Sequence, residues 1–395
     1  MKKLLALLLA FAMVFALASC NSTTSPTPTP TQAPTEAPEV PEVTEVTEVP
    51  EVPEVPDDTK EIALITDLGS IDDGSFNQGA WEGMKAYADA NGKTYAYYRP
   101  FEDSDAGRLE NIAGAVKNGA KVVICPGYLF SEAIFVAQSL YPDVQFLLLD
   151  TEPADPADPY SGLNVATPNT HSIYYREEQS GFLAGYGAVI DGFRNLGYLG
   201  GMEMPPVTRF GYGYIQGAEY AAKELGLAAG DVKINYWYSG GFEPTDDIYT
   251  KMNAWYATGT EIVFACGGGI YLSCLNAADT NNGLVIGVDK DQGPENPRFL
   301  TSATKGLSAS VEIALTALYE NGGTWDETRA GVAATLGIDQ DCVGLPTVES
   351  SWRFRTWTLE EYEALVDLMK TGELVVSDDF INAPAVELVA VDYQN

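Results

Sequence analysis

Glu61–Asn91 reads EIALITDLGSIDDGSFNQGAWEGMKAYADAN, and its three parts decide the fold class. Ile62–Thr66 is a short apolar, β-rich run that suits a strand buried on both faces. A loop rich in Gly, Ser and Asp follows, and then Phe76, Ala80, Met84 and Tyr87 recur at helical spacing. Strand, loop and helix in that order make the first βα unit of a doubly wound sheet. Ligands bind such sheets outside the carboxyl ends of the strands, where this loop lies. The loop holds Asp67, Asp72 and Asp73, with Ser75 or Asp73 placed to cap the helix. Three carboxylates repel a phosphate, and neither GxGxxG nor a Walker loop is present. The loop therefore favours a neutral or cationic ligand that offers hydroxyls, amines or purine N–H groups.

Toward the N-terminus the chain changes character twice. Lys2 and Lys3 precede an apolar run, Leu4–Leu17, closed by Leu17-Ala18-Ser19-Cys20. A basic start, a short apolar core and small residues before a cleavage point describe a secretory signal, and the run is short for a membrane span. Cys directly after Leu-Ala-Ser looks like a bacterial lipobox, which makes Cys20 the lipidated mature N-terminus. The alternative is an ordinary signal peptide in which Cys20 is incidental. Residues 21–59 alternate Pro with Thr and then repeat Glu-Val-Pro and Glu-Val-Thr triplets. Such sequence stays extended, and at about 3.1 Å per residue it reaches on the order of 100 Å. It is expected to be a disordered spacer between membrane and domain.

Charge follows the same division. The chain carries −34 overall, with +2 on residues 1–20, −8 on residues 21–60 and −28 on residues 61–395. A domain this acidic does not hold nucleic acid, which needs clustered Lys and Arg.

Residues 60–395 alternate strand-like runs with helical stretches. The runs are Val122–Cys125, Val144–Asp150, Leu196–Leu199, Lys233–Tyr238, Ile262–Ala265 and Leu284–Val288. This alternation implies an α/β domain of two Rossmann-like lobes with parallel sheets, a hinge and a cleft. The expected boundaries are about 60–166 plus 301–335 for the first lobe and 167–300 plus 336–395 for the second. Asn164–Pro168 is taken as the first crossover. Cys125, Cys266, Cys274 and Cys342 show no CxxC spacing, and His171 is the one histidine. Buried thiols are expected, with no metal and no cofactor. No Ser-His-Asp or Cys-His signature points to an enzyme.

Several stretches, in order, resemble the basic membrane lipoproteins, a family that includes purine-nucleoside receptors of ABC importers. They begin with Asp72-Asp73-x-Ser75-Phe76-Asn77-Gln78 and Trp81-Glu82-Gly83. Gly127-Tyr128-Leu129-Phe130-Ser131-Glu132-Ala133 follows, and then Gly181-Phe182-Leu183-Ala184-Gly185. Gly200-Gly201-Met202, Pro206-Val207-x-x-Phe210 and Gly213-Tyr214-x-x-Gly217 continue the series. Val285-Ile286-Gly287-Val288-Asp289-x-Asp291-Gln292 and Thr301-Ser302-Ala303-x-Lys305 complete it. The chain departs from the family in its acidity, in Glu132 where Asp is usual and in Tyr214 where Phe is usual. The resemblance implies a type I periplasmic-binding-protein-like fold and a nucleoside, of the purine kind, as ligand. It also implies an ABC permease and ATPase as partners and a lipid anchor on the outer face of the membrane.

Each candidate site residue has two readings. Trp81 and one of Phe210 or Tyr214 could sandwich a base, or they pack the core. Asp73 accepts from a base N–H or caps a helix, and Asn77 pairs with ligand or serves the loop. Asp289 ends an apolar strand, and the resemblance gives it the ribose hydroxyls; capping the next turn is the alternative. Lys305 reaches a sugar oxygen or neutralises Asp289, or else lies on the surface. Gly267 opens the backbone to the ligand or only makes a turn. Asp150, at another strand end, completes the set. The alternatives to a nucleoside carrier are a protein that binds a free base, a flavin or another small polar molecule, a sensing module reporting to a signalling partner, and a nucleoside hydrolase.

Overall fold

The computed structural model describes residues 59–157 and 165–394. The signal segment, Cys20, the spacer up to residue 58 and Asn164 lie outside the described residues. Two mostly parallel sheets organise the rest. The first contains β1 (Ile62–Ile65), β2 (Tyr95–Tyr98), β3 (Val122–Pro126), β4 (Gln145–Leu149), β5 (Thr170–Tyr175) and β11 (Ala333–Leu336) in the order β11-β5-β4-β3-β1-β2. In the second are β6 (Asn195–Gly200), β7 (Lys233–Tyr238), β8 (Ile262–Cys266), β9 (Leu284–Asp289), β10 (Phe299–Lys305), β12 (Val343–Gly344) and β13 (Ala390–Tyr393). Their order is β12-β10-β9-β8-β6-β7-β13, and only β12 runs antiparallel to its neighbour. The central strands are almost wholly apolar because helices cover both faces, as β1, β3, β4 and β8 illustrate with every residue buried and Gln145 as their one polar side chain.

The lobes divide differently from the boundaries read in the sequence. β5 belongs to the first sheet, where Phe146–Leu149 pair with Thr170–Ile173. β10 belongs to the second, beside β9. The crossovers therefore fall at Arg176, at Gly306 and between β11 and β12, rather than at 166, 300 and 335. The cause is local composition. THSIYY and FLTSATK carry hydroxyl and charged residues because they end at the cleft, so neither reads as a buried strand. Thr170 is buried all the same, its hydroxyl donating to Gln138 at 2.9 Å.

Two helices exchange lobes at these crossovers. Helix α4 (Glu177–Ile190) leaves β5 and packs on α5 (Pro205–Glu224) and on β10 of the second sheet. Helix α8 (Leu307–Glu320) leaves β10 and packs on α1 (Phe76–Ala90) of the first lobe. The α4–α5 contact runs backbone to backbone. A Cβ at Gly185 would lie 2.1 Å from the Tyr214 carbonyl oxygen, and one at Gly217 would lie 2.0 Å from that of Phe182. Only glycine permits this approach.

Candidate functional site

Between the carboxyl ends of the two sheets lies a cleft of about 550 Å³, open solvent at its mouth included. Asp67, Asp73, Phe76 and Asn77 line it from the first lobe's opening loop and helix, and Asp150 from the end of β4. Phe210, Phe242, Gly267, Asp289 and Lys305 face them from the other side. Asp150 and Asp289 hold equivalent places, each directly at the end of the fourth strand of its sheet. Both adopt left-handed backbone, with φ of 67° and 65°. A non-glycine residue there is strained, and such strain persists where the surroundings fix the side chain for a purpose.

The loop after β1 is built by its own carboxylates. Ser75 is the N-cap residue of α1, yet its side chain makes no cap bond. The Asp73 carboxylate does that work, accepting from the backbone N–H of Ser75 at 2.8 Å, Asn77 at 3.1 Å and Gln78 at 3.1 Å. Asn77 Nδ2 donates to Asp67 at 2.8 Å and to Asp73 at 3.0 Å, and its Oδ1 accepts from the Asp67 N–H. Asp73 and Asn77 thus shape the cleft wall and have much of their bonding capacity engaged. Burial pushes the Asp67 carboxyl up to about 6, against bonds from Gly69 and Asn77 that favour its charge.

Ser75 Oγ instead donates to Asp289 Oδ2 across the cleft at 2.5 Å. Gln292 Nε2 donates to the Gly74 carbonyl at 2.9 Å, and Lys290 pairs with Glu82 at 2.6 Å. These contacts join the lobes over the cavity. Asp289 is 5% exposed, and burial raises its carboxyl to about 6 although Lys305 and Ser75 stabilise the charge.

Lys305 is the centre of charge. Its Nζ lies 2.6 Å from Asp150 and 3.0 Å from Glu177, and 4.9 and 5.4 Å from the ring centres of Phe76 and Phe210. Burial alone would lower its pKa, but Asp150, Glu177 and Asp289 outweigh that and hold it well above the ordinary lysine value. Arg209 pairs with the far side of Glu177 at 2.6 Å. Asp150 keeps one buried oxygen, Oδ1, without a hydrogen-bond partner. The cleft thus presents aromatic faces on one part of its wall and carboxylate acceptors on another.

Two expected residues lie elsewhere. Trp81 packs edge-on against Tyr95 and Tyr97, at 5.6 and 5.5 Å, on the outer side of α1. Tyr214 is wholly buried beside Phe264 at 5.5 Å. Neither lines the cleft. Phe76 takes the place expected of Trp81, because the first turn of α1 projects beyond the sheet while later turns lie on it. Phe242 was not read from the sequence, although an aromatic residue inside Ser239-Gly240-Gly241-Phe242 has no strand or helix face to serve. Glu132 sits in the first turn of α3 (Ser131–Leu140), and the residues of that corner that reach the cleft are Gly127 and Tyr128. The four described cysteines are free and buried, and Cys266 touches the cleft.

The model of the family "ABC transporter substrate-binding protein PnrA-like" matches residues 60–374. The chain belongs to this family. Among relatives of the PnrA-like protein is the ABC transporter nucleoside-binding protein BmpA of Lactococcus lactis, 29% identical over 243 residues. That match covers 58% of this chain and 64% of the relative, slightly less than two thirds of its length. Basic membrane protein B of Borreliella burgdorferi is 27% identical over 303 residues, covering 72% of this chain and 80% of that one. Among solved structures, an ABC transporter solute-binding protein from Aeropyrum pernix K1 superposes with a TM-score of 0.68 at 20% identity. It covers 81% of this chain and 94% of its own, and it establishes the two-lobed fold.

Proposed function

We propose that this PnrA-like protein captures a purine nucleoside outside the cell and delivers it to an ABC permease and its ATPase. The supporting observation is the division of the cleft wall into aromatic rings and unphosphate-like acceptors. Phe76 and Phe210 offer flat faces to a base. Asp289 retains acceptor capacity beyond its bond from Ser75, which suits the vicinal hydroxyls of a ribose. Asp67, Asp73, Asp150 and Asp289 against one lysine repel a phosphate, so a nucleoside is preferred to its nucleotide. A cleft of about 550 Å³ falls in the range of small-molecule sites. The printed name of the Lactococcus relative, a nucleoside-binding protein, agrees with this reading.

In this proposal Cys20 carries the lipid, and residues 21–59 tether the domain to the membrane surface. Changing Cys20 to Ala should move the protein from the membrane fraction to the medium; retention in the membrane would oppose the anchor. Native mass spectrometry of freshly purified protein tests the ligand. A retained mass equal to a purine nucleoside is the expected result. A phosphorylated or unrelated ligand would overturn the assignment.

A further inference from the structure

Arg209 does not line the cleft, yet it ends a line of charge that begins there. The line runs Asp150–Lys305–Glu177–Arg209, with successive separations of 2.6, 3.0 and 2.6 Å. Asp150 follows β4 of the first sheet, and Lys305 is the last residue of β10, before the crossover at Gly306. Glu177 opens α4 directly after the crossover at Arg176, and Arg209 reaches it from the second turn of α5.

Each member of the line decides what the next can do. Glu177 is wholly buried, and burial opposes its charge; Arg209 and Lys305 overcome that and hold its carboxyl below the ordinary range. A buried carboxylate with a single counter-ion keeps that ion to itself. Arg209 Nε occupies one oxygen of Glu177, Oε2, so Lys305 meets only Oε1 and stays shared with Asp150. An ammonium has three donors, and two carboxylates engage that of Lys305. The third donor is left for an oxygen in the cleft, which Lys305 lines.

The outer end of the line is held by a segment beyond the family's matched span of 60–374. After α9 (Leu359–Lys370) the chain returns along α5. Gln216 exchanges two hydrogen bonds with the backbone of Ser377, each 2.9 Å. The Glu219 carboxylate accepts from the N–H groups of Glu387, Leu388 and Val389 at 3.0, 3.0 and 2.9 Å. Between these anchors Phe380 lies against Arg209, its ring centre 5.7 Å from the guanidinium. A cation is drawn to an aromatic face, so the ring restrains a side chain that the helix alone would leave free to turn.

We propose that Arg209 is a positioning residue of the binding site. By holding Glu177 it keeps the Lys305 ammonium presented to the cleft, and Phe380 holds Arg209 in turn. Its effect on affinity rests on reading the cleft as a nucleoside site, whereas its effect on Lys305 needs no ligand.

Two readouts keep these apart. In the ligand-free full chain, the proton–nitrogen correlation signal of the Lys305 ammonium reports its placement, assigned by contacts with the Phe76 and Phe210 rings. It should persist in Arg209→Lys, because a lysine ammonium reaches the single contact that Arg209 Nε makes. In Arg209→Met it should shift or broaden away, with the backbone amide spectrum kept outside α4 and α5. Calorimetry with adenosine reads the consequence. Arg209→Met should weaken binding by about tenfold and Arg209→Lys by less than about threefold. Added to Lys305→Met, Arg209→Met should cost nothing further, since it acts through Lys305. Should Arg209→Met fail to fold, the exposed Phe380→Ala replaces it, with a smaller shift of the same signal and about twofold weaker binding. An unmoved Lys305 signal in the variant that folds would overturn the proposal. So would losses at 209 and 305 that multiply in the double variant. If wild type binds no adenosine, the nucleoside reading fails and the ammonium signal alone decides the positioning.

Discussion

Phe76 and Trp81 show how a single residue is misread when only its spacing is visible. Both lie on α1, and the sequence assigns Phe76 to the core stripe and leaves Trp81 free for a ligand. The stripe is real for Ala80, Met84 and Tyr87, all buried, but its first member overhangs the sheet and reaches Lys305. Helical periodicity describes direction around an axis and says nothing about where the supporting sheet ends. Asp289, by contrast, was legible because a polar residue ending an apolar strand has few places to go, whereas Lys305 was marked only by the family resemblance. Phe76→Ala should therefore weaken ligand binding by roughly tenfold or more, from lost stacking and burial. Trp81→Ala should change affinity by less than about twofold while lowering stability through lost contacts with Tyr95 and Tyr97. Titration calorimetry and urea melts of the two variants separate the effects. The opposite ranking in affinity would restore Trp81 to the site.

At the level of elements, the strongly apolar strands announced themselves, whereas β5, β10 and the edge strands β2, β11, β12 and β13 did not. Edge strands bury less, and β2 (YAYY) has no fully buried residue. The misassigned lobe boundaries follow directly, since β5 and β10 are the strands that lead into the crossovers. The α4–α5 packing was visible only as a run of small residues, and its meaning needed the partner helix. It makes a sharp stability prediction. Gly217→Ala puts a methyl group 2.0 Å from a backbone carbonyl oxygen that cannot move aside alone. The expected cost is about 2 kcal/mol or more by urea denaturation. Gly114→Ala, on α2 (Asp105–Lys117) with open space around its Cβ, should be neutral or stabilising by up to about 1 kcal/mol. Equal effects at the two positions would show that helix propensity, rather than the close crossing, sets the outcome.

For the molecule as a whole, the buried carboxyls link stability to pH. In an unfolded chain they ionise near 4, whereas the folded protein holds protons on Asp67 and Asp289 to about 6 and on Glu178 to about 7. Burial is the main cause in each. Between about 4 and 7 the folded state binds more protons, so stability of the ligand-free protein falls as pH rises through that window. His171, whose pKa burial lowers, acts in the opposite sense below about 6.5, but it is one group against several. The melting temperature should thus be higher at pH 5 than at pH 8. Asp289→Asn, which cannot lose its proton, should flatten the slope. A melting temperature that rises with pH across this range would contradict the charge arrangement described for the cleft.

The most direct measurement is a calorimetric cycle on the cleft itself. Ligand-free wild type and Asp289→Asn are each titrated with a purine nucleoside and with its 2′,3′-dideoxy counterpart. Charge-assisted hydrogen bonds contribute roughly 1.5–3 kcal/mol each, so two to a ribose are worth on the order of a hundredfold after non-additivity. Wild type should bind the nucleoside tightly and discriminate against the dideoxy form by about that factor. The variant should bind both weakly and hardly distinguish them. If neither nucleoside binds wild type, or if the losses from residue and hydroxyls simply add, the sugar does not rest on Asp289 and the nucleoside account of the cleft fails.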